Sequence, residues 1–378
     1  MSPAPAPGTP GRVAAIGAGL VGGSVALACR AAGVGEVVLT DAVPAVRAQA
    51  ARLDLADRVV ASVAEAVRDA DLVVVAVPAA AVPDLVVDAA RHAPQRAVLT
   101  DVASLKSDLT LEVESRLSAA GLDATRFVGG HPMAGSERSG PDAADGTLFQ
   151  GATWVLTPTA STAPEPLQLV SSLLRGFGAR VLALAPGRHD ELVALVSHLP
   201  QLAASALADV AGEVVAETGE VVLAIAGGGF RDTTRVAASD AALWRGILGG
   251  NREAVLTALT RYQARLEDLR TALEAGDDDA LEAVLTRAST ARRRLVPKAA
   301  DLAFVDVVVA LDDRPGALAL ATTALGESGI NVEDVAMRHA VAGGRGALLL
   351  RVAAGERDRA LATLTALGLH AHAEGEPA

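Results

Sequence analysis

The sequence predicts three parts in succession: an α/β nucleotide-binding domain, an all-α segment and a small βαββαβ module. Three changes of hydrophobic period predict it. From Arg12 to about Leu184, short β-branched runs alternate with Ala-rich amphipathic stretches. From about Pro186 to Pro297 apolar residues recur at helical spacing, without a convincing strand. From Ala303 to about Glu374 the period changes again. The expected boundaries are a disordered tail at 1–10, then domains at 11–185, 186–298 and 302–378.

In the first part the strand runs are 13–16, 36–40, 72–77, 98–100, 127–128, 153–156 and 180–184. Strands separated by helix-length segments imply right-handed crossovers and a mostly parallel sheet. Gly17-Ala18-Gly19-Leu20-Val21-Gly22 follows the first run and opens a helix. That context makes it a Rossmann-type fingerprint. Gly17 makes the tight turn, Gly19 lets the backbone approach a pyrophosphate, and Gly22 permits close helix–strand packing. Leu20 and Val21 begin the helix whose N-terminus favours negative charge. Asp41 ends the second run, where a carboxylate holds ribose hydroxyls and repels a 2′-phosphate, so NAD is the expected cofactor. In the second part, Leu192, Leu195, Val196 and Leu199, then Val255, Leu259, Tyr262 and Leu266, mark helices with a large apolar face suited to a dimer interface. The third part reads as strand 304–311, helix 316–328, strands 331–338 and 346–353, helix 357–367 and strand 369–373, a ferredoxin-like order.

Bulk composition narrows the function. A formal charge of −12 disfavours nucleic-acid binding, which needs clustered Lys and Arg. Mean hydropathy is +0.35, yet no uncharged apolar run of membrane-spanning length appears, so no membrane is expected. Cys29 is alone, which leaves no disulfide framework and no thiolate metal site; no metal is expected. The Pro- and Ala-rich start has neither a basic opening nor an apolar core, so the expected compartment is the cytoplasm.

Chemistry concentrates where strand ends meet the crevice of such a sheet. Val77-Pro78 ends the third run and Asp101-Val102-Ala103-Ser104-Leu105-Lys106 follows the fourth. Ser104 is placed to bond a nicotinamide or a substrate hydroxyl, or else to cap a helix, and Lys106 reads equally well as a surface residue. Gly129-Gly130-His131-Pro132-Met133-Ala134-Gly135-Ser136-Glu137 reads as a glycine-rich loop. Its imidazole can take a proton near neutrality. His198 precedes Pro200, which is expected to break a helix; alone it reads as a core histidine. Gly227-Gly228-Gly229-Phe230-Arg231-Asp232-Thr233-Thr234-Arg235, followed by Trp244, offers two arginines able to clamp carboxylates. His92, His189, His339, His370 and His372 read as surface or packing residues.

Together the segments at 17–24, 101–106, 129–137, 197–201 and 228–244 resemble the prephenate/arogenate dehydrogenases of tyrosine biosynthesis. Asp313-Arg314-Pro315-Gly316-Ala317-Leu318 and Gly329-Ile330-Asn331-Val332 resemble an ACT domain. The resemblance implies NAD-dependent oxidative decarboxylation of a cyclohexadienol, with His131 as base, Ser104 orienting it, Arg235 holding a carboxylate and His198 contacting the substrate side chain. Ser136, Glu137, Asp232 and Trp244 then shape the entrance, and Arg231 is a second anchor. Gly17, Gly19, Leu20, Val21, Gly22, Asp41, Val77, Pro78 and Asp101 form the cofactor set. Pro315, Gly316 and Asn331 form a regulatory site for tyrosine, and the family implies a homodimer through the helical domain. Prephenate and arogenate stay open as substrates. A 3-hydroxy acid or imino acid dehydrogenase is a rival, although residues 186–296 lack the lysine that several of those use. A non-catalytic amino-acid sensor is a further rival.

Overall fold

The computed structural model describes residues 9–135, 138–219, 225–295, 304–312, 320–321, 324–325, 328–330, 332–339 and 345–373. The chain divides into two compact units, Met1–Glu267 and Asp268–Ala378.

The first unit is built on an eight-stranded sheet of order β3-β2-β1-β4-β5-β6-β7-β8. Its strands are β1 (Arg12–Ile16), β2 (Glu36–Thr40), β3 (Arg58–Val60), β4 (Leu72–Val75), β5 (Val98–Asp101), β6 (Phe127–Pro132), β7 (Thr153–Thr157) and β8 (Arg180–Ala183). The connecting helices are α1 (Leu20–Ala31), α2 (Pro44–Arg52), α3 (Val63–Val67), α4 (Val82–His92), α5 (Ser107–Ala119) and α6 (Pro164–Gly176). Both sheet faces are buried, so the strands are apolar on both sides: Val13 and Ala15 join one core, Ala14 and Ile16 the other. The order reverses between β1 and β4, which opens the ligand crevice beyond their carboxyl ends.

Strand β3 escapes the sequence reading because its three residues are too short for a visible period. The larger correction is at β6. Phe127 and Val128 pair parallel with β5, and then Gly129 to Pro132 pair antiparallel with β7. His131 and Pro132 therefore end a strand and are not on a loop. Two glycines allow the change of partner: a Cβ on Gly129 would lie 2.4 Å from Thr157 Oγ1, and one on Gly130 would lie 2.8 Å from Asp101 O.

Beyond β8 the unit is helical: α7 (Pro186–Val193), a π-helical turn over Ala194–His198, α8 (Leu199–Thr218), α9 (Gly228–Thr234), α10 (Ala241–Gly250) and α11 (Arg252–Ala275), which runs into the second unit. The expected break at Pro200 is absent. Pro lacks an N–H and clashes with the carbonyl four residues back; the wider π turn just ahead of it lets the helical run continue. The run Pro186–Ala216 is long and apolar enough to cross a membrane by length and composition alone. It also carries the buried His189, Asp190 and His198.

The second unit holds α12 (Asp278–Leu295), β9 (Phe304–Asp312), β10 (Val332–His339), β11 (Arg345–Ala353), α13 (Arg357–Ala366) and β12 (His370–Ala373). The strands form an antiparallel sheet of order β10-β11-β9-β12. Alternate residues Val307 and Val309, and Leu348, Leu350 and Val352, face the core with Leu325 and Leu364. Across β9 and β11, Arg351 donates two 2.8 Å hydrogen bonds to the Asp306 carboxylate.

Candidate active site at the strand ends

The glycine turn fits a dinucleotide. Gly17 has φ +101°, and a Cβ there would lie 2.2 Å from Ala76 O; a Cβ on Gly22 would lie 1.9 Å from Gly17 O. These two glycines are demanded by the protein itself. A Cβ on Gly19 would meet no protein atom within 4 Å, so this position is open to a ligand at the N-terminus of α1. Asp41 lies beside the turn. Its carboxylate accepts from Ala18 N and Val43 N, each at 2.9 Å, which ties it to the glycine turn. Arg47 donates to the Asp41 carbonyl at 2.6 Å. Val77 and Pro78 lie just past β4, which ends at Val75.

Asp101, expected in the cofactor set, turns inward instead. Its fully buried carboxylate accepts from Ala103 N at 2.9 Å and Gly130 N at 3.1 Å, and pairs with Lys106 Nζ. The bond from Gly130 N ties the end of β5 to the middle of β6, and the ion pair with Lys106, neither partner exposed, ties it to the start of α5, so Asp101 braces all three. Lys106 is accordingly a core residue; burial pushes its ammonium below the usual lysine range, against the pull of Asp101 and Asp190. Lys106 and Ser107 begin α5, and their amides are capped from outside the segment: Asp190 accepts from Lys106 N at 3.0 Å and Ser107 N at 2.7 Å. Ser104 is therefore not the cap.

The His131 ring makes its hydrogen bond to His189: Nδ1 of one lies 2.9 Å from Nε2 of the other, the rings edge to face. His189 Nδ1 in turn lies 2.7 Å from Asp190 Oδ1. Among the described residues no hydrogen bond joins Ser104 to His131; the bond at Nδ1 goes to His189. His189 is fully buried between two polar groups and is not a packing residue. Sequence reading missed it because neither neighbour is a glycine or proline; the adjacent Asp190 is the signal that could have found it. Burial, reinforced by His189, Lys106 and His198, holds His131 well below the ordinary histidine value. It is neutral at neutral pH and able to accept a proton.

His198, buried at the end of the π turn, accepts from Asn251 Nδ2 at 3.3 Å, and the same amide donates to the Asp190 carbonyl at 2.9 Å. Its edge meets Trp244, ring centroids 5.9 Å apart. Burial lowers its pKa to about 4, with His189 adding to the fall and Asp190 opposing it. With Nδ1 accepting, the proton of this neutral ring is on Nε2, which makes it a hydrogen-bond donor. Asn251 was also missed by sequence reading. Arg231, Asp232 and Arg235 are exposed on α9 and the turn after it, and among the described residues no hydrogen bond or ion pair links them to His131 or His198. Ser136, Glu137, Pro315, Gly316 and Asn331 lie outside the described residues.

Residues 25–183 match the family model for the prephenate dehydrogenase nucleotide-binding domain, and residues 185–287 match that for the prephenate dehydrogenase dimerization domain. The chain belongs to the prephenate dehydrogenase family. It is 31% identical over 329 residues to a prephenate dehydrogenase of Bacillus subtilis, covering 84% of this chain and 86% of that one. It is 34% identical over 270 residues to a cyclohexadienyl dehydrogenase of Zymomonas mobilis, covering 71% and 90%. Among solved family structures, the prephenate dehydrogenase of Aquifex aeolicus in complex with hydroxyphenyl propionate and NAD+ superposes with a TM-score of 0.68 at 30% identity, covering 75% of this chain and 98% of that one. The Synechocystis arogenate dehydrogenase gives 0.66 at 28%, covering 75% and 100%. About a quarter of this chain thus has no counterpart in either structure.

Proposed function

We propose that this chain carries out NAD-dependent oxidative decarboxylation of prephenate to 4-hydroxyphenylpyruvate, a step of tyrosine biosynthesis. Family membership supplies the substrate class, and one observation carries the chemistry: a neutral, buried His131 near the cofactor-binding edge of the sheet, its Nδ1 engaged and its Nε2 left for the substrate. NAD, when bound, supplies the hydride acceptor. His131 accepts the substrate hydroxyl proton as hydride leaves the same carbon. The electron pair of the breaking bond to the ring carboxylate enters the ring, which becomes aromatic as carbon dioxide departs. The imidazole then returns its proton to the phenolate oxygen, so no net proton is consumed.

Other roles follow from the family resemblance. Arg235 anchors a substrate carboxylate, Ser104 bonds the substrate hydroxyl or nicotinamide, and His198 donates from Nε2 to the side chain. Arg231, Asp232, Trp244, Ser136 and Glu137 shape the entrance. Gly17, Gly19, Leu20, Val21, Gly22, Asp41, Val77 and Pro78 hold NAD. The second unit serves as an ACT module binding tyrosine at Pro315, Gly316 and Asn331; its antiparallel strand order supports this reading. The functional form is a homodimer through the helical segment, and the compartment is the cytoplasm. A second reading, arogenate oxidation, is favoured by the similarity to the Synechocystis arogenate dehydrogenase.

Nicotinamide absorbance with prephenate and arogenate, each with NAD and NADP and with or without tyrosine, tests the proposal. Prephenate with NAD should give the highest kcat/KM. His131→Asn should fold and bind NAD yet lose at least ~10²-fold in kcat. Turnover within a few-fold of wild type at any pH would remove His131 as the base.

A further inference from the structure

We propose that His189 is a positioning residue that holds His131 in the tautomer with its lone pair on Nε2, with Asp190 fixing His189 in turn. This rests on the reading of His131 as the base. The hydrogen allocation follows from the chain of contacts. A carboxylate oxygen accepts, and Asp190 already takes two backbone N–H bonds at the start of α5. The His189 proton is then on Nδ1, donated to Asp190 Oδ1 at 2.7 Å. A neutral His189 has only a lone pair left at Nε2, so it accepts at 2.9 Å from His131 Nδ1–H. His131 Nε2 must then be the bare nitrogen, the form a base requires. The reverse allocation, with His189 donating from Nε2, needs either a second proton and a full charge on a ring with no exposed surface, or a proton on the Asp190 carboxyl, whose two oxygens already accept backbone N–H bonds that favour the carboxylate. Because Asp190 also caps α5, one carboxylate fixes both the helix following the Ser104 loop and the histidine pair.

The test uses the full chain, uniformly labelled with nitrogen-15. Long-range proton–nitrogen correlation spectra report the tautomer of each histidine, and the His131 signals are assigned by their loss in His131→Asn. The wild type should show His131 protonated on Nδ1. His189→Phe should move that proton to Nε2, fully or in part, and lower kcat at least ~10-fold while NAD affinity stays within about twofold. His189→Gln, which offers a carbonyl acceptor near the position of Nε2, should restore both the tautomer and most of kcat. A wild-type spectrum with the proton on Nε2 of His131 overturns the inference without any variant, so a poorly folded His189→Phe leaves it decidable. Full turnover by a folded His189→Phe also overturns it. If His131→Asn is inactive while His189→Phe is fully active, only the positioning role fails; if His131→Asn is active, the base assignment fails first.

Discussion

A histidine that must act as a base does so only while neutral, and the surroundings of His131 set where that condition ends. Burial and the neighbouring His189, Lys106 and His198 all disfavour its charged form. The acid limb of kcat should therefore lie well below pH 6.5, the ordinary histidine value, and turnover should be level from there upward to neutrality. Initial rates at saturating substrate from pH 5 to 8 check this; a half-loss of kcat above pH 6.5 would contradict the burial that the structure gives His131. At this scale the sequence was informative about which residue types matter and poor about their partners. His131 was visible because of its glycine and proline neighbours. Ser104 was expected beside it on resemblance, but His189, 58 positions further along the chain, takes the ring's hydrogen bond. Asn251 likewise reaches His198 across 53 positions. Such pairings depend on how the helical segment seats against the strand ends, which no local spacing records.

Elements differ in how much of their reason is local. The glycine turn before α1 is almost wholly local, which makes it a sharp test. At Gly22 a methyl group would collide with Gly17 O, and nothing flexible can yield. Gly22→Ala should lower Tm and NAD affinity together, at a cost on the order of 1–3 kcal/mol in stability. Gly19→Ala meets open space in the protein, so it should leave Tm within a degree or two while weakening NAD at least ~10-fold. Calorimetric melting and NAD titration of both variants check the pair; equal loss of Tm in the two would deny Gly19 its separate role. The β1–α1–β2 segment, buried on both faces, could be read from its period. Strand β6 could not: its residues answer to two neighbours in turn, and the glycines that make this possible look like a loop from sequence alone. The π turn before Pro200 was hidden for a related reason, since a proline signals a break unless the preceding turn widens around it.

On the scale of the whole molecule, two consequences of burial can be measured. The first is acid sensitivity. His198 titrates near 4 when folded and near 6.5 when unfolded, so the unfolded chain binds more protons between those values. Its contribution is complete above pH 6.5 and is lost as pH falls toward 4, on the order of 3 kcal/mol, with His131 adding loss in the same direction. Denaturant midpoints should fall across this window, and His198→Gln should flatten the slope; an unchanged slope would place His198 outside the buried set. The second consequence concerns association. The helical segment leaves large apolar side chains uncovered along its length, with Val196 61%, Val210 58% and Leu256 55% exposed. Burying each such side chain against a second copy returns roughly 1 kcal/mol, and several together are enough to drive assembly. The match of residues 185–287 to a dimerization domain supports the proposal that the partner is a second copy of the chain. Val210→Glu places a carboxylate in that face, where pairing would have to desolvate it. Sedimentation velocity at micromolar concentration should give a dimer for the wild type and a monomer for the variant, with far-ultraviolet circular dichroism unchanged. A wild-type monomer over that range, or a Val210→Glu dimer of undiminished affinity, would mean that this face is covered by something other than its own copy.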